Sequence, residues 1–407
     1  MYAIWLHYYL VVALAILLPI IYAFQTLYRV DKEEDWLIER SAVMRQSFFS
    51  ASLESAASSY DAAAGEYVWG RTTAPAFASD LHALNAVQRA TQLKELVWLS
   101  VTAGDWLVGF AVLQLHYQST LAMHIYRRGP AGLSLAGRVG GLARGGGVWH
   151  ANATGAMGPT ARGHRVTFRS LAAPGHRLLP AAAATLTFAD GEVRFDVRVS
   201  LPARGLRLAA AGAAAVASGM TGLVFPLGPH RAAVVYKAAA APLTAPLTLR
   251  YSADGAPEEE VRLAEGLLAM DYTRGLLRRH TRRRWGCVSA PSGVGLHLSQ
   301  GAYDVDGVSM ENALFRRGRA PRFLQRAVHM MPLVPAGGRD RWAMRSEELN
   351  LTFTSAGGYG GRTQLGIVDI HMDHRWGTYS GTVRAGVNET YELHDVPGVF
   401  EDQAALW

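Results

Sequence analysis

Six arginines lie within eleven residues of the segment D-Y-T-R-G-L-L-R-R-H-T-R-R-R-W, which covers positions 271–285. A buried guanidinium needs a carboxylate or phosphate that accepts its N–H groups. The segment therefore predicts either a structural network of ion pairs or a binding site for an anionic ligand. In a β-strand, alternate side chains point to opposite faces. One face would carry Arg278, His280, Arg282 and Arg284, and the other Arg279, Thr281, Arg283 and Trp285.

Carboxylates that could accept these N–H groups lie in the C-terminal third of the chain. The candidates are Glu311, Asp369, Asp373, Glu401 and Asp402. Arg278, Arg282 and Arg284 are the arginines expected to take part. A structural ion-pair network is the first expectation, and binding of a phosphate, carboxylate or anionic lipid is the alternative. Nucleic acid is not an expected partner, because no aromatic residue is interleaved with the arginines before the tryptophan that ends the run.

A second polar motif, Asp369-x-His371-x-Asp373 followed by His374, contains side chains that perform acid–base chemistry. Its three alternate residues would share one face of a strand. If the protein is an enzyme, the catalytic residues would be Asp373, His374 and His371. Arginines that approach Asp373 would lower its pKa and make it a poor proton donor, so a hydrogen-bonded polar strand end is the simpler interpretation. No metal or other cofactor is predicted, because the sequence has no H-E-x-x-H motif and no cysteine pair.

Several motifs of the C-terminal half occur together in a recognisable order. They are the arginine segment, G-V-G-L-H-L from Gly293, E-N-A-L-F from Glu311, H-R-W-G-T-Y-S-G from His374 and G-V-F-E-D-Q-A-A-L-W ending at Trp407. This set resembles the domain-of-unknown-function 2804 family, strongly over about 263–407 and more weakly over 94–251. The resemblance implies two lipocalin-like barrels or curved antiparallel sheets, similar to the carotenoid hydratase and tocopherol cyclase type. The D-H-R-W-G piece is also similar to a motif of carotenoid hydratase relatives, in which an acid protonates an isolated alkene.

The hydrophobic periodicity predicts a mainly β protein preceded by helices. From about residue 94 onward, apolar and polar residues alternate, as in Val193, Phe195, Val197 and Val199. The turn pair Asp190-Gly191 predicts a hairpin before that strand. Four segments follow from this pattern: a transmembrane helix at 1–30, a helical linker at 31–93, an N-terminal β domain at 94–255 and a C-terminal β domain at 256–407.

The first residues of the chain have the composition of a membrane anchor. Positions 1–28 contain no charged side chain, and positions 8–28 at about 1.5 Å each match a hydrocarbon core of roughly 30 Å. A cleaved signal peptide is the rival, but no basic region precedes the apolar run. Arg29 and Lys32 follow the span, so the β domains are expected on the cytoplasmic, matrix or stromal side. The sequence thus predicts a single-pass protein of an organellar membrane, with the mitochondrial inner membrane favoured.

Composition limits the function less than the motifs do. The chain has 407 residues, a formal net charge of +7 and one cysteine, Cys287, so an intrachain disulfide is impossible. Lysine occurs only at Lys32, Lys94 and Lys237. The expected function is a non-catalytic accessory or scaffold subunit, with membrane lipids and other subunits of a complex as partners. The alternative is a lipid-binding protein or an isoprenoid-lipid hydratase or cyclase-like enzyme.

Overall fold

The computed structural model describes most of residues 59–406, together with Arg40, Met44 and Phe48. Within 59–406 the undescribed positions are 62, 64–65, 76–77, 80, 82–83, 85–91, 117, 130–131, 143–145, 151–156, 171, 173–177, 217–218, 229–230, 337–338, 366–367 and 387. The predicted transmembrane helix at 1–30 lies outside the described residues. So does most of the predicted linker up to position 58.

Antiparallel β-structure dominates the described residues and forms two curved sheets, each a half-barrel. The first, called sheet 1, has the strand order β7-β6-β5-β4-β16-β14-β12-β11-β10-β9-β8, with β13 and β15 also paired to β14 and β3 paired to β13. Its strands are β3 (Gly70–Thr72), β4 (Leu93–Ala103), β5 (Trp106–Gln114), β6 (Gln118–Arg127), β7 (Leu133–Leu142), β8 (Gly147–His150), β9 (His164–Arg169), β10 (Ala181–Ala189), β11 (Glu192–Leu201), β12 (Leu206–Ala215), β13 (Met220–Gly228), β14 (Arg231–Ser252), β15 (Glu259–Leu263) and β16 (Leu267–Leu276).

The second, called sheet 2, has the strand order β22-β21-β18-β17-β27-β26-β25-β24-β23. Its strands are β17 (His280–Ser289), β18 (Val294–Gln300), β21 (Ala313–Arg316), β22 (Arg319–Phe323), β23 (His329–Ala336), β24 (Arg339–Arg345), β25 (Leu349–Leu365), β26 (Val368–Gly386) and β27 (Glu389–Leu406). Two small hairpins stand apart, β1 (Tyr60–Asp61) with β2 (Glu66–Tyr67) and β19 (Asp304–Val305) with β20 (Val308–Ser309). A 3-10 helix, Pro202–Arg204, links β11 and β12.

Alternating sequences place one face of each strand in the core, as predicted. In β11 the side chains of Val193, Phe195 and Val197 are buried, while the polar residues between them are exposed. The predicted hairpin is confirmed, since β10 pairs with β11 and both Asp190 and Gly191 have positive φ, at 52° and 77°. Positive φ at both central residues is the requirement of a type I′ turn.

The long strand β14 joins the two parts of sheet 1. Its first half pairs with β13 and β16, and its second half with β12 and β15. The register with β16 shifts between Ala238 and Ala241, where Ala240 has a φ of 55°. An irregularity of this kind bends a strand. The backbone N–H of Ala240 donates to Ser289 Oγ of β17 at 3.1 Å, so the bend also contacts sheet 2.

The boundary between the sheets differs from the predicted domain boundary at 255/256. Both β15 and β16 belong to sheet 1, and sheet 2 begins at β17. The reason is that β16 is buried along its whole length and lies between β4 and β14, as a central strand. The turn at Asp254 and Gly255, both with positive φ, separates only β14 from β15.

The N-terminal predictions also change. Strands β1, β2 and β3 lie inside the interval 31–93 that was predicted as a helical linker. Arg40, Met44 and Phe48 are helical, and Phe48 stacks on Phe225 of sheet 1 with ring centroids 5.7 Å apart. Among the described residues, no helix is long and apolar enough to cross a membrane. The part of the chain that the structure describes therefore gives no support to the predicted single-pass localisation in an organellar membrane.

Candidate active-site cleft

Sheets 1 and 2 enclose a cleft of about 100 Å³. Strands β4, β5, β6, β7 and β16 form one wall, and β17, β25, β26 and β27 form the other. Much of the lining is apolar and includes Leu96, Trp98, Ala111, Leu113, Trp285 and Met372. The exposed Arg138 also lines the cleft, which therefore reaches the surface on that side.

Strand register explains which side chains share each wall. On sheet 1, Trp98 pairs with Asp271 on one side and Ala111 on the other. On sheet 2, His374 pairs with Tyr359 on one side and Glu401 on the other. Neighbours across antiparallel strands lie side by side on one face. The two walls meet where the Trp98 and Trp285 rings pack edge to face, with centroids 4.7 Å apart.

His374 is the best-positioned acid–base group of the cleft. Its side chain is buried, and its Nδ1 lies 3.3 Å from Glu401 Oε2. A carboxylate at Nδ1 keeps the proton on that nitrogen and leaves the lone pair on Nε2. Among the described residues, no hydrogen-bond partner meets the buried Nε2. The ring of Tyr359 stacks on the imidazole at 5.0 Å and holds its orientation.

A second histidine, His124 of sheet 1, packs beside His374. His124 is fully buried and stacks on Trp376 with centroids 4.8 Å apart and an interplanar angle of 12°. Its ring centroid is 5.4 Å from that of His374. Burial, and then the neighbouring His374, lowers the pKa of His124 well below its ordinary value. His124 is therefore a neutral ring that packs beside His374.

Four buried charged residues, called the buried quartet, join the sheets next to the cleft. Lys237 Nζ lies 2.7 Å from Asp271 Oδ2 and 3.1 Å from Glu311 Oε2. Arg283 Nη2 lies 3.2 Å from Asp271 Oδ2 and 3.0 Å from Glu311 Oε1. Lys237 and Asp271 belong to sheet 1, whereas Arg283 and Glu311 belong to the part of the chain that forms sheet 2. The quartet has no net charge, so it is a balanced structural network.

Both carboxylates of the buried quartet stay ionised. Burial alone raises the pKa of Asp271, but Lys237 and Arg283 lower it below its ordinary value. Burial likewise raises the pKa of Glu311, but the charges of Arg283 and Lys237 outweigh burial, so this pKa also lies below its ordinary value. By contrast, burial, and then Glu311, raises the pKa of Tyr303, which also lines the cleft. The phenol therefore stays protonated and can donate a hydrogen bond.

Several predicted site residues do come together in the cleft. His374, Glu401 and Arg278 line it, and Glu311 belongs to the buried quartet behind it. Arg278 lies in the connection between β16 and β17, with its guanidinium 5.9 Å from the ring centroid of Phe225.

Other predicted residues point away from the cleft because they occupy the alternate positions of their strands. Arg282 and His371 are exposed. Arg284 donates to Asp402 Oδ2 at 3.1 Å and to the Met330 carbonyl at 2.6 Å. Two of the predicted carboxylates accept hydrogen bonds from surface arginines: Asp369 from Arg362 at 2.7 Å and Asp373 from Arg375 at 2.9 Å. Asp373 therefore lies on the outer face, beside Arg375.

Sequence reasoning missed Lys94, Lys237, Asp271 and Tyr359. Two of these had a detectable signal, since Lys237 and Asp271 are single charges within the otherwise apolar runs V-V-Y-K-A-A-A and L-L-A-M-D-Y. A charge in a buried strand requires a partner of opposite sign. No cluster of three or more metal-binding side chains occurs in the part of the chain that the structure describes.

Fold and site define a mainly β protein with two curved antiparallel sheets and, between them, a cleft lined by apolar and charged side chains. The chain belongs to the family described as a domain of unknown function, number 2804, whose model matches residues 62–407. The predicted family membership is thus confirmed, and the match begins before the region where the motifs were recognised.

Two solved structures are similar to the chain in fold. Kievitone hydratase from Nectria haematococca has 9% sequence identity and a TM-score of 0.38, over 80% of this chain and 93% of that chain. A protein assigned as ATTH from Nitrosomonas europaea has 9% identity and a TM-score of 0.39, over 79% of this chain and 96% of that chain. No curated protein sequence matches.

Proposed function

We propose that this protein is an acid–base enzyme of the hydratase or lyase type. Its substrate would be a small, mainly apolar molecule in which a double bond is conjugated to a carbonyl or carboxylate group. The observation that carries the proposal is the buried His374, whose Nδ1 is held by Glu401 and whose Nε2 has no hydrogen-bond partner among the described residues. This replaces the non-catalytic scaffold as the favoured function and retains the hydratase-like alternative in a modified form.

The reaction follows from these two side chains. Nε2 of His374 takes a proton from a water molecule while the water oxygen bonds to the β-carbon of the substrate. The electron pair of the double bond moves to the carbonyl oxygen and gives an enolate. The imidazolium of His374 then returns the proton to the α-carbon, so the net change is addition of one water molecule. Glu401 acts as a positioning residue, because it stabilises the imidazolium through Nδ1.

The charge of the cleft suits an anionic intermediate. Its lining includes three arginines, Arg138, Arg278 and Arg283, against two acidic residues, Asp271 and Glu401. The two quartet members that stand outside the lining, Lys237 and Glu311, do not change this excess. Fixed positive charge near a developing enolate lowers the barrier to its formation.

The same charges disfavour protonation of an isolated alkene, which was the chemistry implied by the motif of carotenoid hydratase relatives. Such a step needs a carboxylic acid with a raised pKa in a dry pocket. The pKa of Asp271 is lowered instead, and Asp373 faces away from the cleft beside Arg375. A polarised double bond requires no such strong acid.

The size of the cleft limits the substrate. Pockets for drug-sized ligands measure roughly 300–1,000 Å³, whereas a cavity of about 150 Å³ holds one benzene ring. A cleft of about 100 Å³ therefore admits only a small group, no larger than a single ring or a short branched chain.

The test is to incubate the full chain in H₂¹⁸O with a panel of aromatic and short-chain enals, enones and unsaturated acids. Mass spectrometry would detect addition of one labelled water. Unconjugated alkenes of similar size form the second arm of the panel. Loss of a general base lowers turnover by about 10²–10⁴-fold, which is the expected effect of His374→Asn.

The matched control is His371→Asn, the same substitution at an exposed position of the same strand. Equal loss of turnover in both variants would remove His374 from the mechanism. Conversion of the unconjugated alkenes alone would overturn the charge argument. Binding of the conjugated compounds without any water addition, seen by calorimetry, would favour a ligand-binding protein without catalysis.

A further inference from the structure

We propose that Arg138 binds a carboxylate group of the substrate, so that the substrate is a short α,β-unsaturated acid rather than an enal or an enone. The inference rests on the proposed function for the hydration step and names its substrate class. Binding of the carboxylate itself does not depend on that reaction.

The inner face of sheet 1 carries one row of side chains along the cleft. The row consists of register partners on five neighbouring strands, and every member lines the cleft: Arg138, Ala122, Ala111, Trp98 and Asp271. Two alanines separate the arginine from the tryptophan. The open space of the cleft therefore lies over β5 and β6, between a guanidinium at one end and an indole ring at the other.

A matching row lies on sheet 2. Its members are likewise register partners that line the cleft: Tyr359, His374, Glu401 and Trp285. The two rows meet at their tryptophans, because the rings of Trp98 and Trp285 pack with centroids 4.7 Å apart.

The rows face each other in the same order from that contact onward. His124 is two residues from Ala122 on β6, and its ring centroid lies 5.4 Å from that of His374. At the far end, the charge of Arg138 acts on the phenol of Tyr359. Ala122 therefore lies opposite His374, and Arg138 lies one strand further along, at a spacing of about 4.8 Å.

The guanidinium of Arg138 extends across the mouth of the cleft toward sheet 2. A Cβ added at Gly361 of β25 would lie 3.4 Å from Arg138 Nη1. Arg138 makes no hydrogen bond or ion pair with any residue that the structure describes. Burial, and then Glu401, raises the pKa of Tyr359, so the phenol beside Arg138 stays neutral and does not balance its charge.

Arg283 provides an internal comparison. It also lines the cleft, but its Nη2 lies 3.2 Å from Asp271 Oδ2 and 3.0 Å from Glu311 Oε1. Two carboxylates of the protein already balance that cation. No carboxylate of the described residues pairs with Arg138, so its parallel N–H groups are left for a carboxylate of the ligand.

A short unsaturated acid suits both the chemistry and the size of the cleft. In the enolate intermediate the carboxylate gains a second negative charge, which a neighbouring guanidinium stabilises more than the single charge of the substrate. A carboxylate at Arg138 leaves the double bond near Ala122 and His374, and the rest of the chain over Ala111. But-2-enoate has no more non-hydrogen atoms than one benzene ring, and so stays within the limit that a cleft of about 100 Å³ sets.

Binding of a saturated acid tests the site without the reaction. Butanoate has no double bond to hydrate, and butanamide has a similar shape without the charge. Ligand-observed NMR titrations of the full chain would measure both dissociation constants. A hydrogen bond to a charged group alters affinity by roughly ten- to a hundredfold, so Arg138→Gln should weaken butanoate binding at least about tenfold and leave butanamide binding unchanged.

The matched control is Arg165→Gln, which changes the net charge equally. Arg165 is an exposed arginine of β9 and lies outside the lining of the cleft. Its replacement should leave the binding of both compounds unchanged. No butanoate binding by the unaltered protein, or equal weakening in the two variants, would overturn the inference.

Turnover then connects the site to the proposed reaction. But-2-enoate and two neutral counterparts, but-2-enamide and pent-3-en-2-one, would be compared in H₂¹⁸O. We expect the unaltered protein to prefer but-2-enoate by kcat/KM and Arg138→Gln to remove that preference. If the neutral compounds add water in a His374-dependent reaction and Arg138→Gln changes nothing, the inference fails and the proposed hydration stands. If butanoate binds through Arg138 but no compound adds water, only the proposed hydration fails.

Discussion

Replacing Arg283 with methionine tests whether the buried quartet holds the two sheets together. Arg283 contacts Asp271 at 3.2 Å and Glu311 at 3.0 Å, and its side chain is 10% exposed. The substitution keeps most of the apolar volume but leaves two carboxylates with only Lys237 to balance them. Breaking a buried ion pair from one side costs about 3–5 kcal/mol of unfolding free energy.

The expected change in melting temperature follows from the size of the protein. An unfolding entropy of about 2.1 cal/mol/K per residue over roughly 350 residues converts this loss into about 4–7 °C. Differential scanning calorimetry would measure it. Arg282→Met is the matched control, because the exposed Arg282 lies on the opposite face of the same strand and its loss should cost under about 0.5 kcal/mol.

A double variant isolates the electrostatic cause. Adding Glu311→Gln to Arg283→Met leaves one cation and one anion, Lys237 and Asp271, in direct contact at 2.7 Å. The double variant should therefore lose less unfolding free energy than the two single variants lose in sum, by about 1 kcal/mol or more. Strict additivity of the two substitutions, or equal losses in Arg283→Met and Arg282→Met, would refute the reasoning.

Two further predictions concern acid and backbone packing. Burial lowers the pKa of His164 to about 4 and that of His297 to about 3, so both stay neutral in the folded chain while the unfolded chain binds protons below about pH 6.5. Stability should therefore fall from pH 6.5 toward pH 4, by at most about 1.4 kcal/mol per pH unit for each histidine; urea midpoints that do not change over this range would contradict this. Gly357→Ala should cost about 1–3 kcal/mol, because the new Cβ would lie 2.6 Å from Trp376 Nε1, whereas Gly360→Ala on the same strand, with 3.6 Å to its nearest atom, should be tolerated; equal denaturation midpoints for the two variants would show that the tryptophan moves aside freely.

The sequence could reveal the faces of a strand but not which face is buried. Alternation correctly separated Arg282 and Arg284 from Arg283 in β17. Both faces carry arginines, however, and only the opposing sheet decides which of them meets carboxylates. The same reasoning placed Asp369, His371 and Asp373 together, and the structure puts that face outside, leaving His374 inside.

Pairing between distant strands was the part of the fold that no local pattern could predict. Hairpins such as β10–β11 are specified by their own turn residues, so they were predictable. The position of β16 depends on contacts with β4 and β14, which lie far from each other in sequence. For that reason the change from sheet 1 to sheet 2 falls in the 277–279 connection, whereas the sequence pattern suggested a domain boundary at 255/256.

The central position of β16 also constrains how the chain folds. β4 is synthesised long before β16, and β14 also precedes β16, yet β16 is the strand that lies between them in the sheet. Until then each presents an unpaired edge, which is a template for aggregation. Such non-local pairing favours slow folding and a dependence on chaperones. A fragment that stops at residue 255 lacks β16 and should precipitate. A fragment that stops in the 277–279 connection contains β16, which pairs with both β4 and β14, and should stay in solution.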